Sequence, residues 1–347
     1  MTSLPAQFDA QTLSKLSARD LKLLIWRRKW LMTARPNQLP PDNEDWLEWV
    51  LRSGRGFGKL LDAETLVPTP VGWRRLADLA VGDQVFDETG APCTILKTFD
   101  ATPEKAFRLA FSDGTHIDCC DEHLWVTWTH RDRKEYLRNG SQTDFPKNWP
   151  AYRQVLPRYG DVVGSEVRTT QQIVDTLRQN TKRGDLNHCI PLAKPVQYPE
   201  RDLPLDPWLL GYWLGNGTAK AAMLSCHQDD VVLARQRYES AGFETTDKAL
   251  EREFYVKGLI PTLRALDVFG NKHVPRSYHE APIKQRKALL SGLLDSDGHC
   301  SPINGHIEFC SMDRALANDV LELARSLGEK PVFATGRATL NGVDHGE

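Results

Sequence analysis

The chain has 347 residues, 40% of them apolar and 26% charged, which is typical of globular proteins and long enough for two or three domains. Its formal net charge of −2 excludes a strongly basic protein, so that any surface for nucleic acid has to be local. The seven cysteines include no Cys-x-x-Cys pair and no apolar run reaches the roughly 20 residues of a membrane span, so we expect a cytoplasmic protein with no disulfide framework, zinc ribbon or membrane partner.

The first 59 residues combine a basic helix with a glycine-rich loop. Residues 13–31 have the apolar spacing of a helix, and the basic cluster at 27–29 predicts a solvated face. An extended segment with prolines follows at 34–41. The stretch from Ser53 to Lys59 then reads Ser-Gly-Arg-Gly-Phe-Gly-Lys, a pattern typical of phosphate-binding loops.

This loop lacks its last functional residue. A phosphate-binding loop of this kind needs Ser or Thr after the lysine, because that hydroxyl ligates the Mg²⁺ carried by the nucleotide. Leu60 has no oxygen, and residues 61–67 alternate like a strand where a helix should begin. The simplest interpretation is an insertion between Lys59 and Leu60, at the most constrained point of an ATPase.

The motifs at 35–38, Trp46 and 54–59 resemble the N-terminus of the large terminase subunit of tailed bacteriophages, the ATPase and nuclease that packages DNA. The resemblance implies that Gln38 recognises the adenine base of ATP. It also implies a phosphate-binding site made by Gly54, Arg55, Gly56, Gly58 and Lys59. Once the insertion is removed, the terminase would use ATP with Mg²⁺ as its cofactor. Its partner would be the packaging machinery in a bacterial or phage-infected cell.

From Leu60 to about Arg133 the pattern changes to short strands with tight turns. Turns are predicted at 69–73, 80–83 and 112–114, the last within a hairpin that leads into residues 119–127. This layout resembles the N-terminal half of an intein, which has the Hint fold. Residues 61–67 match the opening block, and 114–123 match the block that ends in a histidine.

The intein resemblance implies a splicing centre that needs no cofactor. His123 would protonate the nitrogen that leaves at the upstream splice junction, since an amide nitrogen leaves poorly without a proton. Leu60 stands where most inteins have a Cys or Ser nucleophile. Trp125, two residues after His123, marks an intein class that uses a cysteine near its C-terminus instead, and Cys120 replaces the usual threonine.

Other interpretations of this region remain open. Cys119, Cys120 and His123 are possible metal ligands, but no second ligand pair has zinc spacing. The β region is also compatible with a non-splicing scaffold in a DNA-binding or nuclease protein. A divergent P-loop ATPase is the third reading, although it requires a helix and then a strand ending in acids after the loop.

Residues 134–200 are interpreted as a linker or a DNA-recognition region. Basic and aromatic residues interleave between 131 and about 182, a composition that suits either contact with a strand backbone or a solvated linker. Prolines between 191 and 207 predict an extended segment that leads to the next domain.

Two glycine-containing helices are predicted at 207–217 and 289–298. Gly211 and Gly215 lie four residues apart, as do Gly292 and Ser296, so each helix has a small-residue face that allows two backbones to pack closely. Each helix ends near a polar residue, Asn216 in the first and Asp297 in the second.

These helices resemble the paired helices of LAGLIDADG (DOD-type) homing endonucleases, over roughly 199–347. The resemblance implies double-stranded DNA as the partner and Mg²⁺ held by Asp297 and Asn216, where the family has two acids. Lys272 would match the block between the helices. Arg252, Lys257 and Arg276 are candidates for the DNA surface.

We therefore expect a multidomain fold, with four segments. They are a short α-helical terminase segment (1–59), a partial all-β Hint domain (60–133), the linker or DNA-recognition region (134–200) and a C-terminally truncated α+β LAGLIDADG domain (201–347). Because the C-terminal intein blocks and the displaced cysteine are missing, we expect a precursor fragment that neither splices nor hydrolyses ATP by itself.

Overall fold

The structure is a computed structural model that describes residues 61–98, 105–133, 166–179, 184–248, 252–303, 305–336, 339–340 and 343–344. Gln38, the loop at 53–59 and Leu60 lie outside these ranges, as does the helix predicted at 13–31. Most of the basic and aromatic segment, at 134–165, also lies outside them.

The first described region is a series of antiparallel hairpins with the predicted turns. The pairs are β1 (Leu66–Thr69) with β2 (Gly72–Arg75), β3 (Gln84–Phe86) with β4 (Pro92–Thr94), and β5 (Ala106–Ala110) with β6 (His116–Cys120). Gly72, Gly82 and Gly114 have φ of 108°, 95° and 84°, a conformation that glycine adopts without steric cost. The turn predictions at these three positions are confirmed.

A fourth hairpin joins distant parts of the sequence. Strand β7 (Leu124–Thr127) pairs antiparallel with β8 (Glu166–Thr169), and β8 runs into the short helix α1 (Thr170–Asp175). A capping box between Thr169 and Gln172 fixes the start of this helix. Part of the segment interpreted as a linker or DNA-recognition region thus lies in the same sheet as the strand after His123.

The remaining elements form a mixed helix and strand region. In order they are α2 (Pro207–Asn216), β9 (Met223–Ser225), α3 (Val231–Ser240), β10 (Glu244–Asp247), β11 (Glu253–Lys257), α4 (Leu259–Ala265), α5 (Arg276–His279), α6 (Ile283–Asp297), β12 (Gly298–Cys300), β13 (Ile307–Phe309), α7 (Arg314–Ser326), β14 (Thr339–Leu340) and β15 (Val343–Asp344). Strands β10, β11 and β9 form one antiparallel sheet in that order, while β12–β13 and β14–β15 are hairpins. None of the described helices is long and apolar enough to cross a membrane.

Helix α2 begins where the sequence predicts. The Asp206 carboxylate accepts hydrogen bonds from the backbone N–H groups of Trp208 and Leu209, at 2.9 and 3.3 Å, and Pro207 is the first helical residue. Residues 207–214 are all buried, so that the helix is enclosed on every side and lies at the centre of the main apolar cluster.

Helices α2 and α6 are in backbone contact through their small residues. A Cβ atom on Gly211 would lie 2.9 Å from the Leu293 nitrogen and closer still to the Leu289 carbonyl oxygen. A Cβ atom on Gly292 would lie 2.8 Å from the Tyr212 nitrogen. The predicted close packing is confirmed. Helix α6, however, begins at Ile283, six residues before the predicted start, because the polar residues of its first turns hide the helical pattern.

Arg286 on α6 is fully buried. Among the described residues, no ion pair joins it to a carboxylate. Its guanidinium donates to the carbonyl oxygens of Ala281 at 2.7 Å and Ser326 at 2.8 Å, and also to that of Val196. Burial lowers the pKa of Arg286 to about 10. The side chain therefore ties the extended segment around Val196 and the end of α7 to α6.

The hairpin region contacts helix α7. The Trp73 indole N–H donates to the Glu322 carboxylate at 2.8 Å, and Glu322 also accepts from Arg276 at 2.7 Å. One turn further along α7, Arg325 lies 3.4 Å from the Asp113 carboxylate in the turn between β5 and β6. The β hairpins and the helical region are thus joined by polar contacts at two places.

The α2–α6 contact predicts that Gly211→Ala destabilises the protein. The added Cβ has to displace backbone atoms, so we expect a loss of about 2 kcal/mol, within the range for overpacked cores. Gly336→Ala is the matched control, because a Cβ there meets no atom within 4 Å. Urea unfolding measures both variants, and equal stability of Gly211→Ala and wild type would contradict the packing.

The contacts of Arg286 predict that Arg286→Met is strongly destabilising. Methionine fills much of the same space but leaves buried carbonyl oxygens without their donor, and we expect a loss of about 3 kcal/mol. Lys287→Met, one residue along on the exposed side of α6, should change stability by less than about 0.5 kcal/mol. Thermal unfolding followed by circular dichroism measures both variants. An Arg286→Met variant as stable as wild type would contradict the role of Arg286 in linking the three segments.

Candidate functional site

His123 lies in the turn between β6 and β7, with only 5% of its surface exposed. Its backbone N–H donates to the Cys120 carbonyl oxygen at 3.3 Å, which closes the turn. The imidazole centroid is 4.5 Å from the Trp125 ring centroid, with a 55° angle between the planes. His123, Trp125 and the buried Cys120, all singled out from the sequence, are therefore adjacent.

The chain just after the proposed junction runs along strand β6. Leu61 forms an antiparallel bridge with Cys119, and the Asp62 N–H donates to the Asp118 carbonyl oxygen at 3.0 Å. Leu61 also packs on the small cluster that contains Trp125. The first described residue after Leu60 is thus paired with the end of the strand that leads into the His123 turn.

Thr170 belongs to this cluster, and sequence reasoning missed it. Its hydroxyl accepts a hydrogen bond from the Trp125 indole N–H at 3.0 Å and lies 3.5 Å from the Cys119 sulfur. Thr170 is completely buried at the start of α1. No local motif marks this residue, since 45 positions separate it from Trp125.

Cys119 does not have the environment of a nucleophile. Its side chain is 3% exposed, and burial raises the pKa of its thiol. The thiolate is the reactive form of cysteine, and reactive cysteines are accessible with a lowered pKa. Cys119 is therefore a packing and hydrogen-bonding residue at neutral pH.

A second candidate site lies where α2 and α6 end. A Cβ atom on Gly215 would lie 3.1 Å from an Asp297 carboxylate oxygen and closer to the Ser296 side chain. Asn216 and Asp297 are the last residues of the two helices. The close packing of the helices thus brings both predicted metal-binding residues to one end of the pair.

Lys272 reaches the same place from the loop before α5. Its ammonium donates to the Gly215 carbonyl oxygen at 2.8 Å and lies 5.5 Å from the Trp213 ring centroid. Burial lowers the pKa of Lys272, an effect that Asp297 opposes. Partial desolvation raises the pKa of the solvent-accessible Asp297 carboxyl, and the Lys272 charge counteracts this shift.

These residues fit a magnesium ion in the kind of donor they offer. A carboxylate and an amide carbonyl are hard oxygen ligands, which Mg²⁺ prefers together with water. The described part of the chain contains no group of three or more His, Cys, Asp or Glu residues arranged for a metal. Asp297 is thus the one charged donor of the pair, and the predicted magnesium site remains a prediction.

Two of the three candidate DNA-contacting residues have acidic partners. Lys257 lies 2.5 Å from Glu244 across β10 and β11. Arg276 lies 2.7 Å from both Glu280 and Glu322, within the contact that joins α5 and α7 to Trp73. Arg276 therefore packs the domain together in this structure, and a role for Arg252 or Lys257 on DNA stays a prediction.

Comparisons with known families and proteins bear on the domain that contains α6. Residues 284–337 match the model of the LAGLIDADG-like domain family, which confirms the LAGLIDADG prediction for α6 and the segment after it. Two solved structures are similar at low overlap. They are a crystal structure of a substituted gp41-1 intein (34% identity, 21% of this chain and 56% of that chain, TM-score 0.20) and one of the gp41-1 intein (19% identity, 40% and 79%, TM-score 0.23).

Two curated relatives carry the name replicative DNA helicase DnaB. The protein from Mycobacterium intracellulare is 32% identical over 293 residues, which are 84% of this chain and 46% of the relative. The protein from Mycobacterium leprae is 36% identical over 79 residues, 22% of this chain and 13% of the relative. The chain thus spans less than half the length of these relatives. Neither name is that of a terminase, and the terminase host remains a prediction.

Proposed function

We propose that residues from Leu60 onward belong to an intein that carries a LAGLIDADG homing endonuclease. The observation that carries the splicing part is the bridge between Leu61 and Cys119, which pairs the start of the insert with the strand before His123 and packs Leu61 on the cluster of Trp125. An N-terminal splice junction has to lie next to the group that protonates its leaving nitrogen.

The proposed chemistry at the junction is an acyl transfer. The amide bond between Lys59 and Leu60 breaks, the Lys59 carbonyl carbon bonds to a nucleophilic sulfur, and the Leu60 nitrogen leaves as an amine with a proton from His123. Leu60 has no nucleophile and Cys119 is buried as a thiol, so we assign the attacking sulfur to another cysteine of the precursor. The position of Trp125 beside His123 is consistent with the intein class that works in this way.

The proposed endonuclease site is the joined end of α2 and α6. Mg²⁺ bound there would stabilise charge on the scissile phosphate and activate water. Asp297 would hold the ion by its carboxylate, Asn216 would offer an uncharged carbonyl oxygen, and Lys272 would add positive charge next to Gly215. Double-stranded DNA is the proposed substrate.

The host protein is a separate question. Only 59 residues precede Leu60, so most of the 293 residues similar to the Mycobacterium intracellulare helicase fall in the proposed insert. The similarity therefore lies mainly in the proposed insert. The phosphate-binding loop at 53–59 is the basis for a phage terminase host, and the names of the relatives suggest a replicative helicase as the alternative host. A non-splicing scaffold and a divergent ATPase are the rival functions, and cleavage of the precursor at Lys59–Leu60 would distinguish splicing from both.

In the precursor encoded by the complete gene, His123→Ala should block cleavage at Lys59–Leu60. The loss of a general acid lowers such rates by about 10²–10⁴-fold. Trp125→Ala should also slow cleavage, because the indole packs on the His123 ring. Mass spectrometry of the products measures both variants.

The matched control is His116→Ala, which replaces an exposed histidine at the start of β6 and should cleave like wild type. Absence of cleavage at Lys59–Leu60 in the wild-type precursor would contradict the splicing function and favour the non-splicing scaffold. Unchanged cleavage in the Trp125 variant would limit that residue to core packing.

The uncharged Asn216 predicts weak cleavage that Asn216→Asp improves. A second carboxylate strengthens Mg²⁺ binding and restores the pair of acids that the LAGLIDADG family has at this place. We therefore expect the natural protein to nick or cut slowly and the variant to cut both strands faster. The assay uses the insert-free host gene as the DNA substrate, with Mg²⁺.

Asn318→Asp adds the same charge at an exposed position of α7 and should leave cleavage unchanged. Asp297→Asn should abolish cleavage while DNA binding persists, because phosphate contacts supply most of the affinity. Robust double-strand cutting by the natural protein, with no gain from Asn216→Asp, would refute this assignment.

A further inference from the structure

The Thr170 hydroxyl has three polar neighbours around the His123 turn. The Trp125 indole N–H donates to it at 3.0 Å, and the Cys119 sulfur lies at 3.5 Å. The hydroxyl itself donates to the His123 carbonyl oxygen at 3.3 Å. One buried side chain thus contacts the backbone of His123 and the indole that packs on its ring.

The directions of these hydrogen bonds follow from the donors available. An indole N–H can only donate, so one Thr170 lone pair accepts from Trp125. A carbonyl oxygen can only accept, so the hydroxyl proton points to His123. The remaining lone pair faces Cys119, whose pKa is raised by burial and whose S–H therefore donates. Every hydrogen-bonding position of the Thr170 hydroxyl is used, and each partner holds one orientation.

The backbone around Thr170 reinforces the same turn. The N–H of Thr170 donates to the His123 carbonyl oxygen, and the N–H of Gln171 donates to that of Asp121, both at 2.9 Å. These are N–H groups of the first turn of α1, which have no partner within the helix. The start of α1 therefore clamps the turn that carries His123.

We propose that Thr170 is a positioning residue for amide cleavage at Lys59–Leu60. Its hydroxyl holds the Trp125 indole against the imidazole of His123, and with its backbone N–H it fixes the carbonyl of His123. The imidazole is thereby held in one orientation relative to the segment that begins at Leu61. This inference rests on the proposed splicing function and adds to it a residue from a distant segment.

The first test compares Thr170→Val with Thr170→Ser in the complete precursor. Valine has nearly the same shape without the hydroxyl. We expect cleavage at Lys59–Leu60 to slow about tenfold, because the Trp125 indole loses its buried acceptor and is no longer held against His123. Serine keeps the hydroxyl and should cleave at a rate within about threefold of wild type. A purely structural role for the Thr170 methyl group predicts the reverse order of rates.

A double-mutant cycle tests whether the hydroxyl acts through Trp125. Trp125→Phe removes the other partner of the same hydrogen bond, so the double variant with Thr170→Val should be no slower than the slower single variant. If the two residues acted independently, the fold-reductions in cleavage rate of the two single variants would multiply in the double variant. Thr176→Val is the matched control, because Thr176 is exposed just after α1 and its hydroxyl donates to the Gln172 carbonyl oxygen and contacts His188, away from Trp125.

A spectroscopic measurement tests the Trp125–Thr170 contact independently of cleavage. The chain has ten tryptophans, and the indole resonance of Trp125 is identified by its loss in Trp125→Phe. In folded Thr170→Val protein this indole N–H should exchange faster with solvent, while Thr176→Val leaves it unchanged. An unaffected resonance would overturn the proposed contact.

The outcomes separate this inference from the function on which it rests. Cleavage in wild type and its loss in His123→Ala, together with a wild-type rate in Thr170→Val, would refute the role of Thr170 alone. Absence of cleavage in the wild-type precursor would overturn both. A slow valine variant, an active serine variant and non-additive effects with Trp125→Phe would establish Thr170 as a positioning residue.

Discussion

The helical region depends on the backbone contact between α2 and α6. Gly211 and Gly292 leave no room for a Cβ atom, so each helix approaches the backbone of the other. Two helices held this closely have a fixed relative position along their length. Their last residues, Asn216 and Asp297, consequently meet at one end, and the carbonyl of Gly215 becomes the acceptor for Lys272. The geometry of the proposed endonuclease site thus follows from small side chains within the core.

The site around His123 depends on a contact of a different kind. A β turn has few backbone partners of its own, and here the free N–H groups at the start of α1 supply them. Thr170 adds a side-chain hydroxyl that links Trp125, Cys119 and His123 in a buried space. Buried hydrogen bonds of this sort hold side chains in one orientation, because breaking them leaves polar atoms without partners.

The elements that lead to the two sites both contact helix α7. Glu322 of α7 accepts hydrogen bonds from Trp73 in the β hairpins and from Arg276 in α5. The carbonyl oxygen of Ser326, at the end of α7, accepts one from the buried Arg286. Arg325 contacts Asp113 in the turn before β6. The strand that leads to His123 and the helix that leads to Asp297 are therefore connected through one element, with α7 between them.

The sequence by itself determined the features that depend on local chemistry. Turns at Gly72, Gly82 and Gly114, the start of α2 after Asp206, and the small-residue faces at Gly211 and Gly292 are marked by residues whose conformational or steric properties act within a few positions. The predicted start of α6 is wrong, since the polar residues of its first turns conceal the helical pattern. Only the tertiary structure decided that Thr170 joins Trp125 and that Lys272 meets Gly215, because residues 45 and 57 positions apart are brought together by packing, which no local pattern encodes.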